Sequence, residues 1–255
     1  MKVVILCGGR GTRLGEETHL IPKPMIEICG MPILWHIMKI FNQQGFDDFI
    51  LALGYKARIV KDFFINQNKL SGDVFLSVEN NINKIEQQRN DKWTISMIET
   101  GLNTNTGGRL KRLKRYIDDT FICSYGDGVS NIDLKRLLKF HKEKKKLATI
   151  TIVQPKPRFG LVKMKDGLVE KFEEKKKNSN DFINGGFMVL EKKVLDFIES
   201  DATSFEFDTL RYLTSINELA GYYHGDFWEC MDTKRDHIFL EELWEQNKAP
   251  WKIWE

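Results

Sequence analysis

The sequence predicts an α/β protein built on a doubly wound, mixed but mostly parallel sheet, with a small antiparallel β extension and C-terminal helices. Three observations carry that prediction. An opening apolar run, KVVILC, passes straight into a glycine-rich loop. Through residue 153, strand-length apolar runs alternate with helix-length amphipathic ones, and crossovers of that length imply parallel pairing. From residue 155 the texture changes to short strand-like runs with tight turns.

Taken in order, KVVILC reads as a buried strand. PILWHIMKIFNQQG reads as a helix whose first turn suits Pro32. Ile33, Leu34, Ile37, Ile40 and Phe41 form its apolar face, and Gly45 ends it. DDFILAL is a second strand, KARIVKDFF a second helix and DVFLSV a third strand. Residues 80–100 begin polar and then alternate in WTISMIET, which suggests a loop followed by a strand. GRLKRLKRYI is a short helix, TFICSYGDG a strand, 131–146 a helix and ATITIV a strand. RFGLVKMK, LVEKFEEK and FINGGFMVL suit the antiparallel extension, and helices are expected at about 191–199, 206–219 and 233–245. Trp251, Ile253 and Trp254 in the tail would be a liability if exposed, so they are expected to pack on the body or on another subunit. There is no internal repeat, low-complexity linker or domain break, so residues 1–255 are read as one domain.

Composition excludes several function classes. A hydrophobic content of 42% supplies a full core, while 29% charged residues and a net charge of +3 describe an ordinary soluble protein without the strongly basic character of a nucleic-acid binder. The KEKKK tract, Lys142 to Lys146, follows the apolar-periodic LKRLLKFH and reads as the solvated C-terminal end of a helix. Cys7, Cys29, Cys123 and Cys230 show no zinc or disulfide spacing, and the five histidines form no triad. The first apolar run is too short for a signal peptide, and no stretch approaches the roughly 18–20 apolar residues of a membrane span. A cytoplasmic protein without membrane or nucleic-acid partners is expected.

The stretch CGGRGTRL, residues 7–14, is the first candidate site. Its glycines let backbone N–H groups approach phosphate oxygens. A P-loop is excluded, because the sixth position from Gly8 is Arg13 and no GK[ST] follows. A dinucleotide fingerprint fits Gly9 and Gly11 but meets Leu14 where the third glycine belongs. What remains is GGxGTRL ahead of KPM, a combination suited to a nucleoside triphosphate. Arg13 can fork onto a phosphate, and Lys23 is a compact point charge bracketed by Pro22 and Pro24.

CGGRGTRL, eight residues, KPM and then IEICGMPILWHIM together resemble the sugar-phosphate nucleotidyltransferases. TGGRLKR, YGDGV, RFG, FEEK, INGGF, FWECMDT and APWKIWE extend the resemblance over essentially the whole chain, most closely to the glucose-1-phosphate cytidylyltransferase branch. The resemblance implies a Rossmann-like nucleotidyltransferase fold and transfer of CMP from CTP to α-D-glucose 1-phosphate. The products would be pyrophosphate and CDP-glucose for dideoxysugar synthesis. It divides the chain into a nucleotide part (1–150), a sugar-phosphate part (151–232) and a C-terminal helix and tail (233–255), and it implies a homo-oligomer, a hexamer. The 80–100 segment and the Trp-rich tail are then candidates for its contacts.

Such chemistry asks for positioning and charge neutralisation, and three anionic partners call for a divalent metal, Mg2+. Asp127 lies between glycines after the strand FICSY, at the carboxyl edge where α/β sheets bind ligands. Asp232 reads equally well as the N-cap of the last helix, and the resemblance assigns both aspartates to the metal. Arg13, Lys23 and Asp127 are the expected catalytic residues. The resemblance puts Leu6, Gly8, Gly9, Gly11, Thr12, Arg13, Lys23, Thr106, Gly107, Gly108, Arg109 and Gly126 at the nucleotide. Arg109 matches the O2 and N3 acceptors of cytosine, whereas uracil would oppose a donor at N3 with a donor. Its plain alternative is a basic surface helix with Lys111, Arg112, Lys114 and Arg115. Gly160, Glu174, Lys175 and Asn184 are expected at the sugar phosphate. The family usually has Pro after this lysine, and Lys176 stands there instead. Another nucleotide or acceptor on the same scaffold, or a nucleotide-sugar sensor without turnover, remain alternatives.

Overall fold

A computed structural model describes residues 1–11, 20–70, 73–77, 82–86, 92–155, 161–173 and 182–254. The strands are β1 Lys2–Cys7, β2 Glu27–Ile28, β3 Met31–Pro32, β4 Asp48–Leu53, β5 Asp73–Ser77, β6 Ile82–Glu86, β7 Thr94–Glu99, β8 Phe121–Tyr125, β9 Gly128–Ser130, β10 Ala148–Val153, β11 Leu161–Lys165, β12 Leu168–Glu173, β13 Ile183–Leu190, β14 Leu219–Tyr223 and β15 Trp228–Cys230. The α-helices are α1 Ile33–Gln43, α2 Ala57–Leu70, α3 Thr106–Arg112, α4 Leu134–Lys144, α5 Arg211–Ser215 and α6 Lys234–Glu245.

Among the described residues the central sheet has seven strands in the order β14-β10-β13-β8-β1-β4-β7. β1 pairs parallel with both β4 and β8, and β4 pairs parallel with β7. β13 runs antiparallel to β8 and β10, and β14 closes the edge parallel to β10. Both faces are covered. Val3, Ile5 and Cys7 of β1 point into one core with α1 and the C-terminal tail, while Val4 and Leu6 point into the other with α3 and the 205–213 helices. Two buried faces explain why KVVILC is apolar throughout rather than alternating.

Two strands differ from the sequence reading. The third parallel neighbour of β1 and β4 is β7, from WTISMIET, whereas DVFLS forms β5 and pairs antiparallel with β6 in a separate two-stranded sheet. FINGGFMVL, expected in the antiparallel extension, enters the central sheet as β13, and β11–β12 make the extension without it. The 206–219 helix is shorter than expected. Phe205–Leu210 is a π-helical turn, α5 continues it, and Leu219–Tyr223 is a strand. Residues 192–197 are a 3-10 helix.

The tail packs on the body of its own chain. Trp251 is fully buried, stacks on Phe227 and points its Nε1 at His36 Nδ1 across 3.5 Å. Trp254 meets Trp35 edge to face. His36 Nε2 lies 3.1 Å from the Ile28 carbonyl, and burial holds its pKa down at about 4. Cys7 and Cys123 are buried, as free cysteines acting as small hydrophobes commonly are. No helix among the described residues is long and apolar enough to cross a membrane.

Candidate active site

The carboxyl ends of β1 and β8 open into a cavity of about 1190 Å³, lined by Cys7, Gly8, Lys23, Tyr125, Asp127 and Asp232 among others. Ligands of α/β sheets bind outside the carboxyl ends of the strands, where this cavity lies. One wall of the cavity is charged. Lys23 Nζ donates to Asp127 Oδ2 at 2.6 Å and to Asp232 Oδ1 at 2.5 Å, and the lysine is 8% exposed.

Local sequence fixes all three groups. Pro22 is extended, at φ −70° and ψ 145°, and Lys23–Met25 form a single 3-10 turn whose Met25 N–H bonds the Pro22 carbonyl. Pro24 packs on the glycine before Asp127, since a Cβ on Gly126 would lie 3.0 Å from Pro24 Cγ. Asp127 sits between β8 and β9, and its carbonyl accepts from Met231 N, which fastens it beside β15. The N-cap of α6 is Thr233, which closes a capping box with Asp236, so Asp232 stands one residue outside the helix and its side chain reaches Lys23. The alternative reading of Asp232 as the cap is thereby removed. Burial alone would lower the Lys23 pKa, but the charge of Asp127 and the bonds to both aspartates outweigh it, and the pKa is raised.

Asp127, Asp232 and the Cys230 sulfur offer ligand atoms within 4.8 Å of one another. Two carboxylate oxygens that already converge on an ammonium suit a hard divalent cation. The Cys230 thiol, whose pKa is raised first by burial and then by Asp127, is a neutral neighbour rather than an oxygen-type ligand.

Another part of the lining is built from hydroxyls around one carboxylate. Glu206, in the π-helical turn, accepts from Tyr125 Oη at 2.6 Å through Oε1. Its Oε2 accepts from Thr106 Oγ1 at 2.6 Å and Ser204 Oγ at 3.1 Å. Asn184 Nδ2 donates to Tyr125 Oη at 3.3 Å, while its Oδ1 holds Gly186 N at 2.9 Å. Burial and then the Glu206 charge push the Tyr125 phenol above its ordinary range, so it stays protonated. Neither Tyr125 nor Glu206 was singled out from sequence. Tyr125 was within reach, two residues before Asp127 at the strand end. Glu206 was not, because its partner Thr106 lies one hundred residues away.

Arg109 is 4% exposed, which removes the alternative of a basic surface helix. Its Nη1 donates to Thr100 Oγ1 at 2.8 Å and to the Gly101 and Leu53 carbonyls at 2.7 and 3.2 Å, and its Nη2 to the Gly8 carbonyl at 2.9 Å. The guanidinium therefore stitches the ends of β1, β4 and β7 beneath the glycine loop. A Cβ on Gly8 would lie 2.2 Å from its Nη1, so the loop needs glycine there. Gly107 and Gly108 are required by packing. Added Cβ atoms would lie 2.7 Å from the Thr203 carbonyl and 2.5 Å from Asp201 Cα, so these glycines let α3 pack on the 201–205 loop. The Thr106 hydroxyl is likewise engaged, donating to Glu206 and accepting from Phe205 N at 2.9 Å. Leu6, Gly8, Gly9, Gly11, Lys23, Thr106, Arg109, Gly126, Asp127, Asn184 and Asp232 all line the cavity, joined by Trp228, Glu229 and Arg235. Thr12, Arg13, Gly160, Glu174 and Lys175 lie outside the described residues.

A sequence model of the nucleotidyl transferase family matches residues 2–245. The chain is 46% identical over 257 aligned residues, spanning all of both proteins, to the glucose-1-phosphate cytidylyltransferase of Salmonella typhimurium. It is 41% identical, again over both full lengths, to a probable glucose-1-phosphate cytidylyltransferase of Bacillus subtilis. Among solved structures, HddC from Yersinia pseudotuberculosis superposes with a TM-score of 0.70 at 26% identity, covering 95% of this chain and 99% of that one. A UDP-glucose pyrophosphorylase bound to UDP-glucose gives a TM-score of 0.69 at 15% identity, covering 96% and 98%, and shares the fold.

Proposed function

The chain belongs to the nucleotidyl transferase family, and we propose that it transfers CMP from CTP to α-D-glucose 1-phosphate, giving CDP-glucose and pyrophosphate. The observation that carries this reading is the 46% identity with a glucose-1-phosphate cytidylyltransferase over the whole of both chains. The cavity agrees with it in size and in the opposed character of its walls. In the reaction an acceptor phosphate oxygen attacks the α-phosphorus, and the bond to the departing pyrophosphate breaks in line. Chemistry of this kind asks the protein mainly for alignment and for positive charge.

Lys23 supplies such a charge at the cavity wall, on a turn that prolines hold rigid. The amides of Gly8, Gly9 and Gly11, together with Arg13, are assigned to the triphosphate. Asp127 and Asp232 are assigned to Mg2+, which when bound neutralises charge building on the phosphate oxygens. Arg109 Nε–H has no partner among the described residues, and with the second Nη2 hydrogen it is assigned to the O2 and N3 acceptors of cytosine. Asn184, with Gly160, Glu174 and Lys175, is assigned to the sugar phosphate. The whole of residues 1–255 acts as one catalytic domain in this reading, assembled as a homohexamer in the cytoplasm.

The test is pyrophosphate release from each of CTP, UTP, ATP and dTTP with glucose 1-phosphate and magnesium. Release with CTP and little with the others is expected. Equal rates with CTP and UTP overturn the role of Arg109, and no release with any nucleotide overturns the activity.

A further inference from the structure

The hydroxyl wall of the cavity has a fixed direction. Glu206 brings no proton of its own and takes one from each of three neighbours, Tyr125, Thr106 and Ser204. Thr106 and Ser204 use a remaining lone pair on backbone N–H groups, those of Phe205 at 2.9 Å and Phe207 at 3.2 Å, which are orphan donors at the start of the π-helical turn. Tyr125 Oη has spent its proton and receives one from Asn184 Nδ2. It keeps acceptor capacity only, and it lines the cavity.

We propose that Glu206 is a positioning residue that fixes the hydrogen-bond polarity of Tyr125, so that the phenol selects an acceptor substrate by a hydroxyl that must donate to it. The selection follows from the asymmetry of unmet bonds. A group that only accepts, set against an oxygen that only accepts, leaves two polar atoms unpaired, which costs more than the bond it replaces. The same carboxylate ties α3, on the nucleotide side, to β8 and β13, on the side of Asn184. The inference rests on the proposed activity only for the identity of the hydroxyl-bearing acceptor.

Glu206→Gln gives a directed test. Its amide oxygen can stay at the Oε2 position and keep Thr106 and Ser204 as donors. The amide nitrogen then replaces Oε1 and donates to Tyr125, which receives from two sides and turns its own proton into the cavity. The probes are glucose 1-phosphate fluorinated in turn at C2, C3, C4 and C6, because fluorine accepts weakly and never donates. In the unaltered protein one position is expected to lose about tenfold in kcat/KM relative to the others. In Glu206→Gln that positional loss shrinks to within about threefold, and in Tyr125→Phe it disappears. The same fluorine profile in all three chains, or no sensitive position in the unaltered one, overturns the proposal. A substrate-free measurement separates this from failure of the activity itself. In urea unfolding, Glu206→Gln should destabilise the chain carrying Tyr125 more than the chain carrying Phe at that position, and zero coupling overturns the proposal. Absence of turnover in the unaltered protein would instead sink the cytidylyltransferase reading and leave this cycle to decide.

Discussion

The two walls of the cavity use the same carboxylate chemistry to opposite ends. Asp127 and Asp232 face an ammonium, so their wall exchanges charge for charge. Glu206 faces three neutral hydroxyls, so its charge goes into orienting protons rather than into neutralising a cation. The lesson is one of division of labour. A wall of paired ions suits a polyphosphate and a divalent cation, whose large charges need neutralising. A wall of oriented hydroxyls suits a sugar, which brings no charge at its ring and is told apart by which of its groups donate.

The largest effect that would break this comparison is on the charged side. Lys23→Met keeps an unbranched side chain, one atom shorter, but leaves Asp127 and Asp232 without the ammonium between them. Turnover should fall by about a hundredfold or more while far-ultraviolet circular dichroism is unchanged, in keeping with loss of a preorganised charge at a developing anion. Wild-type kcat in that variant would move the positive charge of the reaction elsewhere.

A smaller effect sharpens the comparison by belonging to neither wall. His36 is fully buried among Trp35, Trp244, Trp251 and Trp254, and its pKa is lowered to about 4 from an ordinary 6.5. The unfolded chain therefore binds a proton that the folded chain refuses between those values. Stability should be fully present above pH 6.5 and decline as the pH falls to about 4, by about 3 kcal/mol. Urea titrations across that range should show the decline, and a His36→Phe chain should lack it. A decline that persists in the variant would assign the acid sensitivity to another group.

What the sequence disclosed of this arrangement is what local chemistry dictates. β1 was legible because a strand buried on both faces must be apolar throughout, α1 because Pro32 and the spacing of Ile33, Ile37 and Ile40 mark its start and face, and Asp127 because an aspartate between glycines at a strand end has few other uses. The choice between DVFLSV and WTISMIET for the place beside β4 was not legible, since both alternate like strands. Only the register from Asp48↔Thr94 to Leu53↔Glu99 decides it. Gly107 and Gly108 were placed near the base by resemblance, and that they let α3 pack on the 201–205 backbone was not legible in the sequence. Glu206 was hidden most completely. It sits in an amphipathic stretch, FEFDTL, whose helical reading is correct in outline, and two of its three donors, Thr106 and Tyr125, lie far away in the chain.

The separation of the two walls is tested most directly by steady-state kinetics of Asp127→Asn and Glu206→Gln measured side by side with CTP and glucose 1-phosphate. Asp127→Asn should lose about three powers of ten in kcat with little change in the KM for the sugar phosphate, as expected for a group that matters most where charge develops. Glu206→Gln should raise that KM about tenfold and keep kcat within about threefold, as expected for a change in acceptor binding. If both substitutions move the same parameter, the two walls do not divide the work and the account fails.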